Sequence, residues 1–312
     1  MDFGAHLPLM DFGGNPYSLE HLTSYTESAA RLGFSALSAN DHMVFSVPWL
    51  DGPTALAAVI GRSGGMTLAT TVSLPVIRGP VALAKTLAAI DRLSQGRLVV
   101  AVGPGSSQAD FDSVGLDFAE RWTRLDESIG ALRALWRDGA PPFVGRFYST
   151  AGISLEPRPV RNDGPAIWLG SWGSELGLRR TARLADGWLA SAYNTTPRLF
   201  ADGWSLLQEL LPSHGKDPRS FPNALATMWF YITDDQMEAD NIMRERIVPT
   251  IHRPEDVLRE RLPVGPAEVF AEKLSAFADS GVQRVFVWPV ADEIRQLELF
   301  CEIVRPSIVA KL

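Results

Sequence analysis

Short apolar runs alternate with longer amphipathic stretches along most of the chain. The short runs are rich in Val, Ile, Leu and Ala, and several are bounded by glycine or proline, which is typical of buried strands. "MTLATTVSLP" (66–75) is one such run, with several β-branched residues. Runs of this kind predict eight strands, at residues 2–8, 34–39, 66–75, 96–106, 166–171, 186–193, 223–233 and 282–290.

The amphipathic stretches between these runs predict helices. In the first stretch, apolar residues recur at helical spacing between Ser18, which can cap a helix, and Gly33, which can end one. Pro80 falls in the first turn of another stretch, where proline is tolerated. We predict helices at 18–33, 53–63, 80–94, 120–138, 174–185, 196–214, 265–281 and 292–312, with further helical segments between 235 and 262.

The order of these elements favours a closed barrel. Strands that are each followed by a helix imply parallel pairing with right-handed crossovers. Eight such units predict an α/β fold of the (β/α)8 TIM barrel class, with an open sheet in two halves as the alternative. Residues 139–165 interrupt the alternation with five prolines, and we interpret them as an insertion before the fifth strand that contains at most a small hairpin. The sequence thus predicts a single domain over 1–312.

Composition and charge narrow the class of protein. The chain has 312 residues, of which 46% are hydrophobic, so it can bury a large core. Its net charge is -7 and no basic run stands out, so we expect no nucleic-acid partner. Cys301 is the only cysteine, which excludes an intrachain disulfide and a cysteine-rich metal site. The first ten residues do not resemble a signal peptide, and no apolar window of ~18 residues occurs, so we expect a cytoplasmic protein with no membrane partner.

Polar and glycine-rich residues cluster where the predicted strands end. Because the active sites of such barrels lie at the carboxyl ends of the strands, these residues are the candidates for a site. In chain order they are His6; Asn40, Asp41 and His42; Thr70, Thr71, Val72 and Ser73, with Arg78 just beyond; the turn 103–107; the turn 170–174; Tyr193 and Asn194; and Trp288.

His42 is the best catalytic candidate in chemical terms. An imidazole titrates near working pH and can give or take a proton. Asp41 is its neighbour, but adjacent strand residues point in opposite directions, so the two side chains need not touch. A loop histidine with a satisfied hydrogen bond, and Asp41 as a turn cap, is the alternative. The role of His6 is likewise left with two alternatives: it is either a second pocket histidine or a core residue with its N–H paired. His21, His214 and His252 are expected at the surface.

The turn "GSWGSE" opens directly into a predicted helix. The N–H groups at a helix start bind phosphate well, Gly173 would allow a close approach, and Ser174 would add a hydroxyl. An ordinary turn with Ser174 as the N-cap fits the same residues. The turn "GPGSS" is less specific, since it lacks the lysine of a P-loop. The histidines and carboxylates do not cluster in sequence, so we expect no metal.

Four segments carry a resemblance to a known family: 70–106, 120–136, 167–191 and 262–274. Over nearly its whole length the chain is similar to the bacterial luciferase-like family of flavin and deazaflavin oxidoreductases. The stretch 139–165 matches the insertion that such proteins carry before the fifth strand. The resemblance implies a TIM-like barrel with one planar, isoalloxazine-type ring in its mouth.

The resemblance also implies the cofactor, which is coenzyme F-420 (a 5-deazaflavin) or FMN. The motif "NDH" at 40–42 is similar to the "SDH" of deazaflavin-dependent members, which favours coenzyme F-420. In those members the counterpart of Asp41 contacts the ring, that of His42 is a catalytic acid or base, and a cis peptide bond matches Thr71–Val72. The counterparts of the two glycine turns hold the phosphate and the ribityl tail. The resemblance thus assigns to cofactor binding Asn40, Asp41, Thr71, Val72, Gly103, Gly105, Ser106, Ser171, Trp172, Gly173 and Ser174.

Two departures limit what the resemblance implies about the substrate. Sugar-phosphate dehydrogenases of the deazaflavin branch carry a glutamate where this chain has Ser106, and Asn40 replaces the usual serine. We therefore do not expect sugar-phosphate oxidation. Apolar candidates near the strand ends indicate a hydrophobic substrate, aromatic or terpenoid, although each of them can instead fill the core. The predicted substrate pocket contains His6, Phe45, Trp49, Tyr193 and Trp288, with Met43 and Trp172 nearby.

These observations predict hydride transfer between coenzyme F-420 and a small apolar or carbonyl-containing substrate. His42, with Asp41, is the predicted catalytic group. An FMN-dependent monooxygenase that uses oxygen and a separate reductase is the alternative, and a barrel that binds cofactor without catalysis is a further one. A metal-dependent hydrolase is the most distant. The resemblance implies a homodimer and allows a flavin or deazaflavin reductase as partner.

Overall fold

The chain folds into a closed parallel barrel wrapped by helices. The structure is a computed structural model and describes residues 1–12 and 17–309. Eight strands form the barrel in the order β1-β2-β3-β4-β5-β6-β7-β9, and β9 pairs back onto β1. All these pairings are parallel, so the predicted TIM barrel is confirmed. The strands are β1 (Asp2–His6), β2 (Ala36–Ala39), β3 (Thr67–Ser73), β4 (Leu98–Val102), β5 (Ala166–Gly170), β6 (Gly187–Ser191), β7 (Asn223–Ile232), β8 (Val264–Gly265) and β9 (Arg284–Pro289).

The helices follow the strands as the periodicity predicts, with some subdivision. Short 3-10 turns lie at Ile60–Arg62, Phe118–Glu120, Ala192–Asn194 and Leu211–His214, and π-helical turns at Ile242–Ile247 and Phe300–Val304. The α-helices are α1 (Leu19–Arg31), α2 (Gly52–Ala58), α3 (Pro75–Arg78), α4 (Pro80–Leu93), α5 (Gln108–Ser113), α6 (Arg121–Trp136), α7 (Glu175–Leu184), α8 (Pro197–Leu210), α9 (Gln236–Asn241), α10 (Val248–Ile251), α11 (Glu255–Arg261), α12 (Ala267–Asp279), α13 (Glu293–Leu299) and α14 (Arg305–Val309).

The sequence pattern missed three short elements. Helices α3 and α5 follow β3 and β4, and each is too short to show a helical period. The two-residue β8 pairs only with the end of β7 and lies outside the barrel circle. Residues 139–165 contain a small hairpin, as the sequence allows: Val144 and Ser149 form an antiparallel bridge, and Thr150 N donates to the carbonyl oxygen of Phe143 at 2.9 Å. The last three residues of the predicted helix 292–312 lie outside the described residues.

Small residues inside the barrel leave room for two large rings. Trp168 and Phe286 pack there with alanines from neighbouring strands, Ala36 and Ala101 among them. A Cβ on Gly187 would lie 2.5 Å from the Trp168 ring. The barrel centre is therefore filled, and open space is left toward the strand ends.

The start of α2 is pressed against the end of β2. A Cβ on Gly52 would lie 2.0 Å from the carbonyl oxygen of Asn40, so only glycine fits there. Asp51 caps α2 by accepting a hydrogen bond from Thr54 N at 2.9 Å. This contact fixes the loop that carries Asn40, Asp41 and His42. Within 1–12 and 17–309, no helix is both long and apolar enough to span a membrane.

Candidate active site

Two cavities meet at the carboxyl ends of the strands. The barrel cavity, about 350 Å³, is walled by the ends of β2 to β7 and includes Thr71, Gly103 and Ser171. The aromatic cavity, about 600 Å³, is walled by Phe45, Trp49 and other rings. The two cavities share six wall residues: Asn40, His42, Ser106, Trp172, Tyr193 and Thr227. A group bound in one cavity can therefore reach a group bound in the other at this shared wall.

The structure brings most of the sequence-predicted residues to these walls. Of the residues assigned to the cofactor, all line the barrel cavity except Gly173, which stands in the turn behind it with φ +91°. Of the assigned substrate residues, Phe45, Trp49, Tyr193 and Trp288 line the aromatic cavity. His6 lines neither cavity within the described part of the chain.

His42 forms a hydrogen-bonded pair with a buried carboxylate. Its Nδ1 lies 2.8 Å from Oδ2 of Asp110, which is fully buried at the start of α5. The other carboxylate oxygen accepts N–H bonds from Met43 and Val44, each at 2.8 Å. Burial raises the pKa of Asp110, but the hydrogen bonds from His42 and from these two amides outweigh it, so the pKa lies below its usual value.

This pair leaves the second nitrogen of the imidazole for chemistry. An ionised Asp110 accepts the Nδ1 proton and holds the ring in one orientation. The Nε2 atom is then the one that can gain or lose a proton at the shared wall. Phe45 and Trp49 pack on the same imidazole, with ring centroids 4.6 and 4.8 Å away, and limit its other rotamers.

Asp41 is held in a different way and does not serve as a proton carrier. Arg78 donates to both of its oxygens, each at 2.6 Å, and the carboxylate is 3% exposed. The N–H of Leu74 lies 3.4 Å from the same carboxylate, and Arg78 also pairs with Asp51. Burial lowers the pKa of Arg78, but the two carboxylates raise it further, so the guanidinium stays charged. The catalytic assignment of Asp41 is therefore corrected: its oxygens are occupied, and it anchors the loop beside His42.

The end of β3 forms the floor of the barrel cavity. The Thr71–Val72 peptide bond is cis, as the resemblance implies. A Cβ on either Gly103 or Gly170 would lie 2.8 Å from the Val72 side chain, so these glycines make the space in which Val72 stands. Thr71 Oγ1 and Asn40 Oδ1 are buried polar atoms with no partner within residues 1–12 and 17–309. Such atoms in a cavity wall fit a ligand that brings polar edges of its own.

The start of α7 forms a second polar wall. Ser174 is the N-cap and accepts from Gly177 N at 3.2 Å, as the N-cap interpretation of the sequence has it. A Cβ on Gly177 would lie 2.2 Å from Ser171 Oγ, so glycine is required for the two serines to stand together. Both serines line the barrel cavity, as does Arg121. Helix-start N–H groups, hydroxyls and a guanidinium together suit a phosphate.

His6 belongs to the core rather than to the pocket. Its ring is 1% exposed and stacks on Trp288, with the centroids 3.6 Å apart. Its Nδ1 lies 2.7 Å from the carbonyl oxygen of Leu7, which fixes the proton there. Burial lowers the pKa of His6 to about 3, so the ring is neutral at physiological pH. The prediction that His6 lines the substrate pocket is thus wrong, and the core alternative holds.

The surface assignment of the other histidines holds in part. His214 is exposed. His21 is partly buried and pairs with Glu293 at 3.5 Å, which raises its pKa. His252 is exposed but stands on the wall of the aromatic cavity.

Sequence reasoning missed several functional residues, and three of them matter most here: Asp110, which lines neither cavity but pairs with His42, and Trp229 and Arg253, which line the aromatic cavity. Asp110 lies on α5, a helix too short to be predicted, although it closely follows the "GPGSS" turn. Trp229 lies in β7, whose continuous apolar run hides which side chains point inward. Arg253 follows α10 in a region predicted only as helical segments. Of these three residues, only Asp110 has a sequence signal, because it is a charged residue shortly after a predicted strand end.

Comparisons with known proteins agree with this architecture. The luciferase-like monooxygenase family matches residues 3–253. An uncharacterised protein of Mycobacterium tuberculosis is 33% identical over 187 residues, which are 59% of this chain, and the chain spans 63% of that relative's length. The F-420-dependent glucose-6-phosphate dehydrogenase of Segniliparus rotundus is 25% identical over 325 positions, covering 94% of this chain and 95% of the relative.

Solved structures show the same barrel. A monooxygenase from Streptomyces bottropensis has a TM-score of 0.83 at 22% identity and covers 98% of this chain and 99% of its own. An F-420-dependent secondary alcohol dehydrogenase has a TM-score of 0.84 at 17% identity and covers 98% of each chain. At these identities the likeness shows the fold alone. Because the family match spans most of the sequence, the chain belongs to the luciferase-like monooxygenase family.

Proposed function

We propose that this protein is an F-420-dependent oxidoreductase that transfers a hydride to or from a small apolar or carbonyl-containing substrate. The observation that carries the proposal is the His42–Asp110 pair at the wall shared by the two cavities. An imidazole fixed in this place can exchange a proton with a molecule in either cavity. The relative of nearly equal length, named an F-420-dependent dehydrogenase, supports the choice of cofactor.

The barrel cavity fits a planar ring with a phosphorylated tail. The unpartnered atoms of Asn40 and Thr71 suit the polar edge of a ring that lies over Val72. Ser171, Ser174 and the start of α7 would hold a phosphate. When bound, coenzyme F-420 supplies a carbon centre that takes up or gives a hydride.

The chain's own residues supply orientation and one proton. When a substrate alcohol loses a hydride, its hydroxyl proton must also leave, and His42 Nε2 takes it; in the reverse direction Nε2 returns it. Ionised Asp110 stabilises the imidazolium that forms. Phe45, Trp49 and Trp288 surround the substrate space with apolar surface and exclude water.

The substrate of the named relative is not part of the proposal. Ser106 lines the barrel cavity where sugar-phosphate enzymes of the deazaflavin branch carry a glutamate, and a serine hydroxyl does not replace a carboxylate in proton transfer. The aromatic cavity favours a less polar molecule. A homodimer and a partner reductase stay predictions.

The test is a titration of cofactor-free protein with coenzyme F-420 and, separately, with FMN, followed by tryptophan fluorescence. We expect saturable quenching with F-420 at a dissociation constant at least about tenfold below that for FMN, since Trp172 lines the cavity. Tight binding of FMN alone would overturn the proposal in favour of an FMN-dependent monooxygenase. Binding of neither ring would overturn it in favour of a barrel that has lost the family's chemistry.

A further inference from the structure

The aromatic cavity has one cationic residue on its wall, Arg253, and none of its described wall residues is Asp or Glu. His42 and His252 share this wall, and His42 is already paired with Asp110. The whole chain has a net charge of -7, so this local balance runs against the average. A cavity whose walls are aromatic and cationic favours a ligand that is both apolar and anionic.

Arg253 is fixed at this wall by a chain of polar side chains. Its Nη2 donates to Asn194 Oδ1 at 2.8 Å, and Asn194 Nδ2 donates to Ser191 Oγ at 3.0 Å. Ser191 in turn lies 2.8 Å from Thr227 Oγ1, at the mouth of the barrel. The guanidinium carbon also stands 5.5 Å from the centroid of the Trp172 ring. The side chain is thus oriented without the help of a carboxylate.

The guanidinium retains donors for a ligand. It has five N–H groups, of which one bonds to Asn194. Within residues 1–12 and 17–309, no carboxylate lies at ion-pair distance from Arg253. Two arginines of the same segment differ in this respect, because Arg244 and Arg259 pair with Glu255. An oriented, unpaired guanidinium in a cavity wall is suited to hold a carboxylate in a two-bonded geometry.

We propose that the aromatic cavity binds a flat, apolar carboxylate and that Arg253 holds its carboxyl group. The inference rests on the proposed function, because it names the substrate class for that site. The rings of Trp49, Trp229 and Trp288 pack against one another around the apolar body of the ligand. His42 lines the same cavity, so the reacting carbon lies toward the shared wall and the carboxylate toward Arg253.

The test compares a carboxylate with its neutral isostere. Isothermal titration calorimetry of the full chain, with and without coenzyme F-420, measures binding of 2-naphthoate and of 2-naphthamide. We expect 2-naphthoate to bind about tenfold more tightly, the effect of one partly exposed charged hydrogen bond. Arg253→Gln should abolish this preference and leave the affinity for 2-naphthamide unchanged.

A matched control is available at the opposite end of the barrel. Arg219 is exposed just before β7, pairs with no carboxylate in the described part of the chain, and lies on neither cavity wall. Arg219→Gln should keep the preference for 2-naphthoate. Arg253→Met provides the same comparison if the glutamine variant does not fold.

Three results would overturn the inference. The first is that the wild-type protein binds the two probes equally or binds neither. The second is that the preference for 2-naphthoate survives in Arg253→Gln. The third is that Arg253→Gln binds F-420 more weakly but 2-naphthoate unchanged, which would assign Arg253 to the cofactor. The proposed function is contradicted by a different result, namely that the wild-type protein does not bind F-420. The two failures are therefore told apart in the same samples.

Discussion

At the scale of single residues, two neighbours in the sequence have separate tasks. Asp41 faces Arg78 and His42 faces Asp110, although the two backbones are adjacent. Because consecutive side chains leave an extended chain in opposite directions, neighbours on a strand end reach different partners. The "NDH" motif therefore provides an anchor and a proton carrier rather than a single acid–base pair.

The first prediction concerns this proton carrier. In turnover assays with F-420 and a substrate found among carbonyls, imines and alkenes, His42→Ala should be ~10²–10⁴ slower while F-420 still binds. Asp110→Asn should be ~10²–10⁴ slower, since it loses both the orientation of the ring and the charge that stabilises the imidazolium. The double variant should be no slower than His42→Ala, because the two residues act as one unit.

An independent readout separates orientation from general stability. Nitrogen-15 NMR of the imidazole should show the Nδ1-protonated tautomer in the wild type and a changed tautomer ratio in Asp110→Asn. Multiplying effects in the double variant, or wild-type turnover in His42→Ala, would contradict the assignment.

The second prediction concerns His6 and acid stability. The pKa of His6 is about 3 in the folded protein and near 6.5 when exposed. Between these values only the unfolded chain gains the proton, so stability falls as pH drops from about 6.5 toward 3. The loss from this group between pH 6 and pH 4 should be about 2 kcal/mol.

Urea unfolding at pH 6, 5 and 4 measures this loss. His6→Gln does not titrate at this position, so its unfolding free energy should fall by about 2 kcal/mol less than that of the wild type over the same range. Equal slopes for the two proteins would show that His6 is protonated in the folded state.

At the scale of elements, short segments decide the site. Helix α5 has six residues and supplies Asp110, and the first residue of α2 sets the position of the loop at Asn40. Helix α7 is longer and presents its capped start to the barrel cavity through Ser174. A cap stabilises its helix whether or not a ligand is present, so the two effects can be separated.

The third prediction makes this separation with two caps. Ser174→Ala and Thr196→Ala each remove an N-cap hydroxyl, on α7 and α8, and each should cost about 1 kcal/mol of unfolding free energy. Of these two capping residues, only Ser174 lines the barrel cavity. Fluorescence titration should therefore show F-420 binding about threefold to tenfold weaker in Ser174→Ala and unchanged in Thr196→Ala. Equal affinities in both variants would remove Ser174 from the binding site.

At the scale of the whole molecule, the barrel brings residues from six strand ends around one cavity. A ligand that binds there touches many elements at once and binds only the folded chain. Its binding therefore stabilises the whole fold by mass action.

The fourth prediction follows from this linkage. F-420 at about 100 times its dissociation constant should stabilise the protein by about 2.7 kcal/mol and raise the melting temperature by roughly 5 °C. FMN at the same concentration, if it binds at least about tenfold more weakly, should raise the melting temperature by no more than about half as much. Differential scanning calorimetry measures both shifts, and a larger shift with FMN would reverse the choice of cofactor.

The sequence by itself determined the barrel, its strand order and most of the cavity wall. Periodicity marks strands and helices locally, and parallel βα units place all strand carboxyl ends on one face, so His42, Thr71 and Ser174 could be assigned without coordinates. The resemblance of four segments supplied the family and the cis bond at Thr71–Val72.

Only the tertiary structure decided which side chains meet. Three contacts in the site join residues that lie 37 to 282 positions apart in the chain. They are the pairs Asp110–His42 and Asp41–Arg78 and the stacking of His6 on Trp288. Arg253 reaches the aromatic cavity from the turn after α10, in a stretch for which the sequence predicted only helical segments. The physical reason is that periodicity records which face of an element is buried, whereas partners are set by packing between elements that are distant in the chain.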